Sequence, residues 1–263
     1  MAKIIGKVYE TTDYDKFSFV IGNRAVKTKG AKWNALFTSI KEHGQLEPAL
    51  VNERFEVING QHRLVCCKEL GVPFKYTFGK YNASCEIIGE ANRGSKWGVR
   101  EYVNFYSSQT DARAINYKYF EALRTEFHLG DSSLTVIINA NDGTSVRDAI
   151  KTGKLKISSA MYDTLRKCLF ELYELGFDKW LKDNRRNARA YWAAITYAWR
   201  NPEVDMKRLM KVMWENEYRV PSTTKTTELL RALSEIYNRR LAKVNRIYMD
   251  QDWERGKYRK WDA

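Results

Sequence analysis

The chain is poor in cysteine, histidine and proline, and it has no long apolar run. Its four cysteines, at 66, 67, 85 and 168, stand in no paired metal-ligand spacing. Adjacent Cys66 and Cys67 cannot easily bridge each other, so the thiols read as buried and reduced, as in a cytosol. Three histidines, at 43, 62 and 128, are too few and too scattered for a zinc site, and no metal site is expected. No apolar stretch nears the roughly 20 residues that cross a bilayer. Residues 1–10 have no signal-peptide core. The expectation is a cytoplasmic protein without a membrane partner. Repeats and low-complexity tracts are also missing, which excludes a solenoid.

What remains is a globular composition: 263 residues, 44% hydrophobic and 29% charged. That length is comfortable for two domains and long enough for sizeable cores. The net charge of +13 favours polyanionic partners, nucleic acid first among them, over a surface basic only for solubility. The 35 aromatic residues fall mostly at helical spacing and read as core.

Trp33, Leu36, Phe37 and Ile40 mark one helix face, and Gly44 stands where a left-handed cap would end it. Two short strands are predicted around the polar turn Asn52-Glu53-Arg54. Asn59-Gly60 closes the second, and Leu64, Cys67 and Leu70 face the next helix inward until Gly71. Strands are also expected at 76–78 and 85–88. Beyond Glu90 the signals turn helical: Val99 to Tyr106, Phe120 to Phe127, 132–140 and 145–151, with Asn141-Asp142-Gly143 between the last two. Helices follow at Met161 to Leu172 and Tyr191 to Trp199, with Pro202 and Pro221 as punctuation. Met206, Met210, Met213 and Trp214 have the spacing of a helix core rather than a ligand pocket. One long last helix is expected to carry Leu229, Leu233, Ile236, Leu241, Val244 and Tyr248 on one side. The fold class is α+β: a small mixed α/β head, then an all-helical region. The expected domains are 1–95, 96–157 and 158–263.

The chemistry sits in the run from Phe55 to Gly71, which reads strand, tight glycine turn, helix. Such a turn aims the unpaired N–H groups and positive dipole end of the helix at one spot, suited to phosphate. Gly60 lets backbone approach a ligand, and His62 and Arg63 add polar or charged donors.

These residues resemble a known family. Ser39-Ile40, Gly44, Pro48 and Val51, then Gly60-Gln61-His62-Arg63 and Leu70-Gly71, look like the N-terminal domain of the ParB/sulfiredoxin-like superfamily. The match covers about the first 95 residues. It implies a bound nucleoside triphosphate, CTP or ATP, with or without Mg2+, held at Gly60, Gln61, His62 and Arg63. Arg24 and, at altered spacing, Glu90 and Asn92 (with Arg93 beside them) would join them. Sulfiredoxin carries a nucleophilic cysteine where this chain has Gln61. An amide cannot replace a thiolate, so that activity is excluded.

The resemblance also implies a following, degenerate helix-turn-helix, here 117–151, with Phe120, Leu123 and Leu134 as its core and Thr144, Ser145 and Arg147 facing DNA, an ordinary helical linker being the alternative. Two basic clusters would add phosphate contacts. One holds Lys179, Lys182, Arg185, Arg186 and Arg189; the other Arg239, Arg240, Lys243 and Arg246, with Arg255, Lys257, Arg259 and Lys260 after it. The stripe from Leu229 to Tyr248 would pack within the chain or, alternatively, pair two copies as a homodimer. The leading expectation is a nucleotide-regulated DNA-binding protein, its simple layout and lack of a partner-recruiting tail pointing to a phage or mobile-element relative. A phosphotransferase or nuclease with Glu90 as general base is the alternative, Glu56 and Glu86 being the other carboxylates. The third reading is an interaction protein with a vestigial pocket.

Overall fold

A computed structural model describes residues 6–79, 88, 97–139, 145–184, 188–256 and 258–261. The chain forms two compact units, Met1–Ala114 and Ile115–Ala263. It is mixed α+β, a sheet near the N-terminus followed by helices.

The first unit contains β1 (Val8–Thr11), a 3₁₀ turn (Tyr14–Lys16), β2 (Ser18–Phe19), α1 (Ala31–His43), β3 (Ala49–Val51), β4 (Glu56–Asn59), α2 (Gln61–Leu70), β5 (Phe74–Phe78) and α3 (Val99–Ser107). Sheet order is β1-β5-β3-β4-β2. β1 runs antiparallel to β5, and β3 antiparallel to β4, while β5 lies parallel to β3 and β2 parallel to β4. Burial follows the sequence stripe of α1: Trp33 and Ile40 face the core, and Gly44, at φ +69°, returns its N–H to the Ile40 carbonyl. The β3–β4 hairpin is set by Asn52, whose Oδ1 accepts from the Arg54 and Glu56 amides at 3.0 and 2.9 Å. Such a side chain replaces a backbone turn partner. Gln45 is buried but satisfied: Nε2 donates to the Glu47 and Lys75 carbonyls, and Oε1 accepts from the Lys75 amide. Ala49, Val51, Val57, Cys66, Cys67 and Phe74 around it are fully buried.

Of the strand expected at 85–88, residues 85–87 lie outside the described residues. Ile88 is helical and fully buried, which corrects that expectation. An isolated apolar pair fits either element, and periodicity alone cannot choose.

The second unit is helical: α4 (Ala114–Glu126), α5 (Asp131–Ile138), α6 (Val146–Lys151), α7 (Ser159–Glu174), α8 (Phe177–Asp183), α9 (Ala188–Arg200), α10 (Met206–Glu215), α11 (Thr226–Tyr237) and α12 (Met249–Glu254). Side-chain caps start several of them, as Ser158 does for α7 and Asp205 for α10. Phe120, Leu123 and Leu134 are fully buried. The Tyr117 hydroxyl donates to the Ile150 carbonyl at 3.2 Å, tying α4 to α6. α9 is central, buried almost all round, and packs against α5 and α11. Met210 and Met213 are core residues of α10, while Trp214 is partly exposed.

The single long last helix is not formed. α11 stops at Tyr237, and a 3₁₀ turn (Lys243–Asn245) precedes α12. Asn238 takes the chain out of the helix: its Nδ2 donates to the Ile247 carbonyl at 2.7 Å and its Oδ1 accepts the Ile247 amide at 2.8 Å. Arg240 has φ +63°, a conformation that no helix tolerates, and Val244 is 89% exposed. The expected stripe is therefore cut after Ile236.

Among the described residues no helix is long and apolar enough to cross a membrane.

Candidate functional site

β4 ends at Asn59 and α2 begins at Gln61, so the whole reversal falls on Gly60. Gly60 has φ +103° and ψ +17°. A Cβ there would stand 2.6 Å from the Ala49 Cβ and 3.1 Å from its Cα. Glycine is required twice over, by the left-handed backbone and by the approach of β3. Among the described residues no side chain caps α2, which leaves the amides of its first turn and its positive dipole end available to an anion.

Residues 22–27 are laid against this turn. Asn23 Nδ2 donates to the Ile58 carbonyl at 3.3 Å, and the Lys27 amide donates to His62 Nε2 at 3.3 Å. Gly22, at φ +84°, comes so close to α3 that a Cβ would meet the Phe105 Cα at 2.7 Å. Arg24 then pairs with Glu101 on α3, Nε to Oε1 at 3.8 Å. The other Glu101 oxygen accepts the Gly98 amide at 2.8 Å and so caps α3. The Trp33 ring lies 6.3 Å from that of His62. Arg24, His62, Trp33 and Glu101 thus converge from four segments.

His62 accepts through Nε2, which leaves the proton on Nδ1. Burial, and then the charge of Arg24, hold its pKa below the ordinary imidazole value, so it is neutral at pH 7. Arg63 uses Nη1 on the Glu47 and Pro48 carbonyls, at 2.9 and 3.4 Å, and on the Glu47 carboxylate at 3.3 Å. Its Nη2 reaches Asn59 Oδ1 at 3.5 Å, and burial lowers its pKa. In this arrangement Arg63 holds the entry of β3 to the end of β4. Gln61 is buried. Among the described residues, Arg24 is a cation whose charge acts on His62 in the first turn of α2. Cys66 and Cys67 are buried, and burial pushes each thiol up to about 11.

Glu90, Asn92 and Arg93 lie outside the described residues, as does Glu86. Glu56 takes a 2.6 Å hydrogen bond from Asn52 and serves the hairpin. Glu101 escaped the sequence reading. Its spacing to Gly98 is a helix-start signal, but its pairing with Arg24 is tertiary. Among the described residues no three His, Cys, Asp or Glu side chains gather as a metal site.

Of the residues expected to face DNA, Thr144, Arg185 and Arg186 lie outside the described residues. Ser145 caps α6, its hydroxyl accepting the Asp148 amide at 3.4 Å, and Arg147 is exposed. Lys182 pairs with Asp178 at 3.2 Å. Arg189 lies on the wall of a cavity of about 540 Å³. Arg239 donates to Asn216 Oδ1 at 2.5 Å, while Arg240 and Lys243 are exposed on the turn after α11.

No family model and no curated protein matches the chain. Among solved structures it is similar to one described as the C2221 form of a Pnob8-like ParB-N domain. The identity is 11% and the TM-score 0.33, over 98% of this chain and 100% of that one. At that score the likeness carries no argument about function.

Proposed function

We propose that the chain is a nucleotide-regulated DNA-binding protein. Its first unit holds a nucleoside triphosphate, CTP or ATP, with the phosphates over the first amides of α2 and beside Arg24. One observation carries this reading. The bond from the Lys27 amide to His62 draws the Arg24 segment against an uncapped helix start that Gly60 opens. The residues fit a phosphate group, with backbone donors, a dipole and the guanidinium of Arg24, which already pairs with one anionic group, the Glu101 carboxylate. The net charge of +13 and the exposed basic turn at Arg240 and Lys243 support contact with a DNA backbone.

The test is fluorescence anisotropy of a labelled duplex over a salt series, with and without CTP or ATP. The expected result is affinity that falls steeply with salt, from counterion release, and that shifts when nucleotide is added. A flat salt response contradicts the DNA part, and indifference to nucleotide contradicts the regulation.

A further inference from the structure

The cavity of about 540 Å³ in the second unit is walled by α5, α9, the start of α11 and α12. That is the size of a small-ligand site. Among the described residues that line it, two are arginines, Arg189 and Arg200, and none is acidic.

Arg200 is only 4% exposed. Its Nε donates to the Arg259 carbonyl at 2.6 Å, and its guanidinium is flanked by the Tyr258 and Trp261 rings at 4.5 and 4.7 Å. Its Nη2 is buried without a hydrogen-bond partner among the described residues. Among the described residues no carboxylate is paired with it, and the polar groups that act on it are Tyr258, Cys168 and Tyr197. A guanidinium does not shed its proton, and burying one without a counter-charge is costly. Aromatic faces and one carbonyl offset only part of that cost.

A second feature of the same wall points the same way. α11 opens at Thr226, a lining residue, and no side chain caps it. The carboxylate within that first turn, Glu228, is held by Thr223 at 2.6 Å and by Lys225 at 2.9 Å. The positive end of a 12-residue helix thus shares the cavity with two arginines.

We infer that this cavity is a binding site for a small phosphate-bearing anion, held between Arg200, Arg189 and the first turn of α11. A DNA backbone is the wrong shape for it, because the Arg200 guanidinium lies too deep for a duplex to touch. The occupant is inorganic phosphate or a small organic phosphate, with Trp253, packed on Tyr197 and Tyr258, forming part of the wall. The site is separate from the α2 turn and does not depend on that reading.

The experiment follows the Trp253 indole N–H by NMR in the full chain, assigned with Trp253→Phe, during titration with sodium phosphate, AMP or adenosine. Saturable shifts with phosphate are expected, unchanged in Arg24→Glu. Arg189→Glu, at an exposed position that leaves the fold intact, should weaken binding at least tenfold. Arg200→Lys should weaken it too. AMP binding tighter than phosphate would identify an organic phosphate as the ligand; equal affinity would identify inorganic phosphate. The inference is overturned if tens of millimolar phosphate leave the resonance in place. Binding by both arginine variants as tightly as wild type would overturn it as well.

Discussion

Replacing Gly60 by alanine tests whether the α2 turn is built as described. The new Cβ must occupy a backbone at φ +103°, which costs an L-residue roughly 1–2 kcal/mol. It must also push against the Ala49 Cβ, 2.6 Å away, and overpacking of that kind costs about 1–3 kcal/mol. The sum is a loss of about 2–5 kcal/mol. Gly71 is the control. It too has positive φ, +68°, but a Cβ there meets nothing within 4 Å, so Gly71→Ala should cost only about 1–2 kcal/mol. Hydrogen exchange of the α1 and α2 amides reads the opening of this unit separately from the helical one. Equal losses in the two variants would refute the close approach of β3, and with it the geometry of the turn.

Three further outcomes follow from the same structure. Because His62 titrates below its ordinary value of 6.5, the unfolded chain takes up the proton first as pH falls. The stability that the neutral ring provides is therefore full above about pH 6.5 and is lost as pH drops toward the depressed folded value. Exchange protection of the first unit should fall more between pH 7 and 5 in wild type than in His62→Gln; identical curves would refute this. Asn238→Ala removes two hydrogen bonds that close the loop to Ile247, about 1–3 kcal/mol of protection in α11 and α12. Asn245→Ala, at an exposed position, should change it by less than about 0.5 kcal/mol. With Cys66 and Cys67 held near 11 and burial holding Cys168 well above its ordinary value, a Cys85→Ser chain should resist thiol modification at pH 8 until it is unfolded. Fast labelling of the native chain would contradict the burial of these thiols.

The elements around the turn were legible because two independent signals agreed there. The α1 stripe ends at Gly44, Asn52 sits at the hairpin, and Gly60 and Gly71 bracket α2. β1 and β2 gave no such signal. Val8, Tyr9 and Glu10 are exposed, and the two residues of β2 are exposed as well, so neither strand alternates. Their pairing is decided by β5 and β4, distant in sequence. The C-terminal helix misled for a different reason. Leu241, Val244 and Tyr248 continue an apolar spacing, but the side chain of Asn238 competes for backbone partners, which no periodicity records. At the site, the sequence displayed the charge of Arg63 without the carbonyls of Glu47 and Pro48 that take up its donors. Glu101 was hidden because its partner, Arg24, comes from the other end of the unit.

The most direct measurement is calorimetry of CTP and ATP, with and without Mg2+, on wild type, Arg24→Ala and Glu101→Gln. The glutamine can still accept the Gly98 amide but no longer neutralises Arg24. The account predicts binding by wild type, at least tenfold weaker binding by Arg24→Ala, and tighter binding by Glu101→Gln. No heat with any nucleotide, or an Arg24→Ala chain that binds as wild type does, would contradict it.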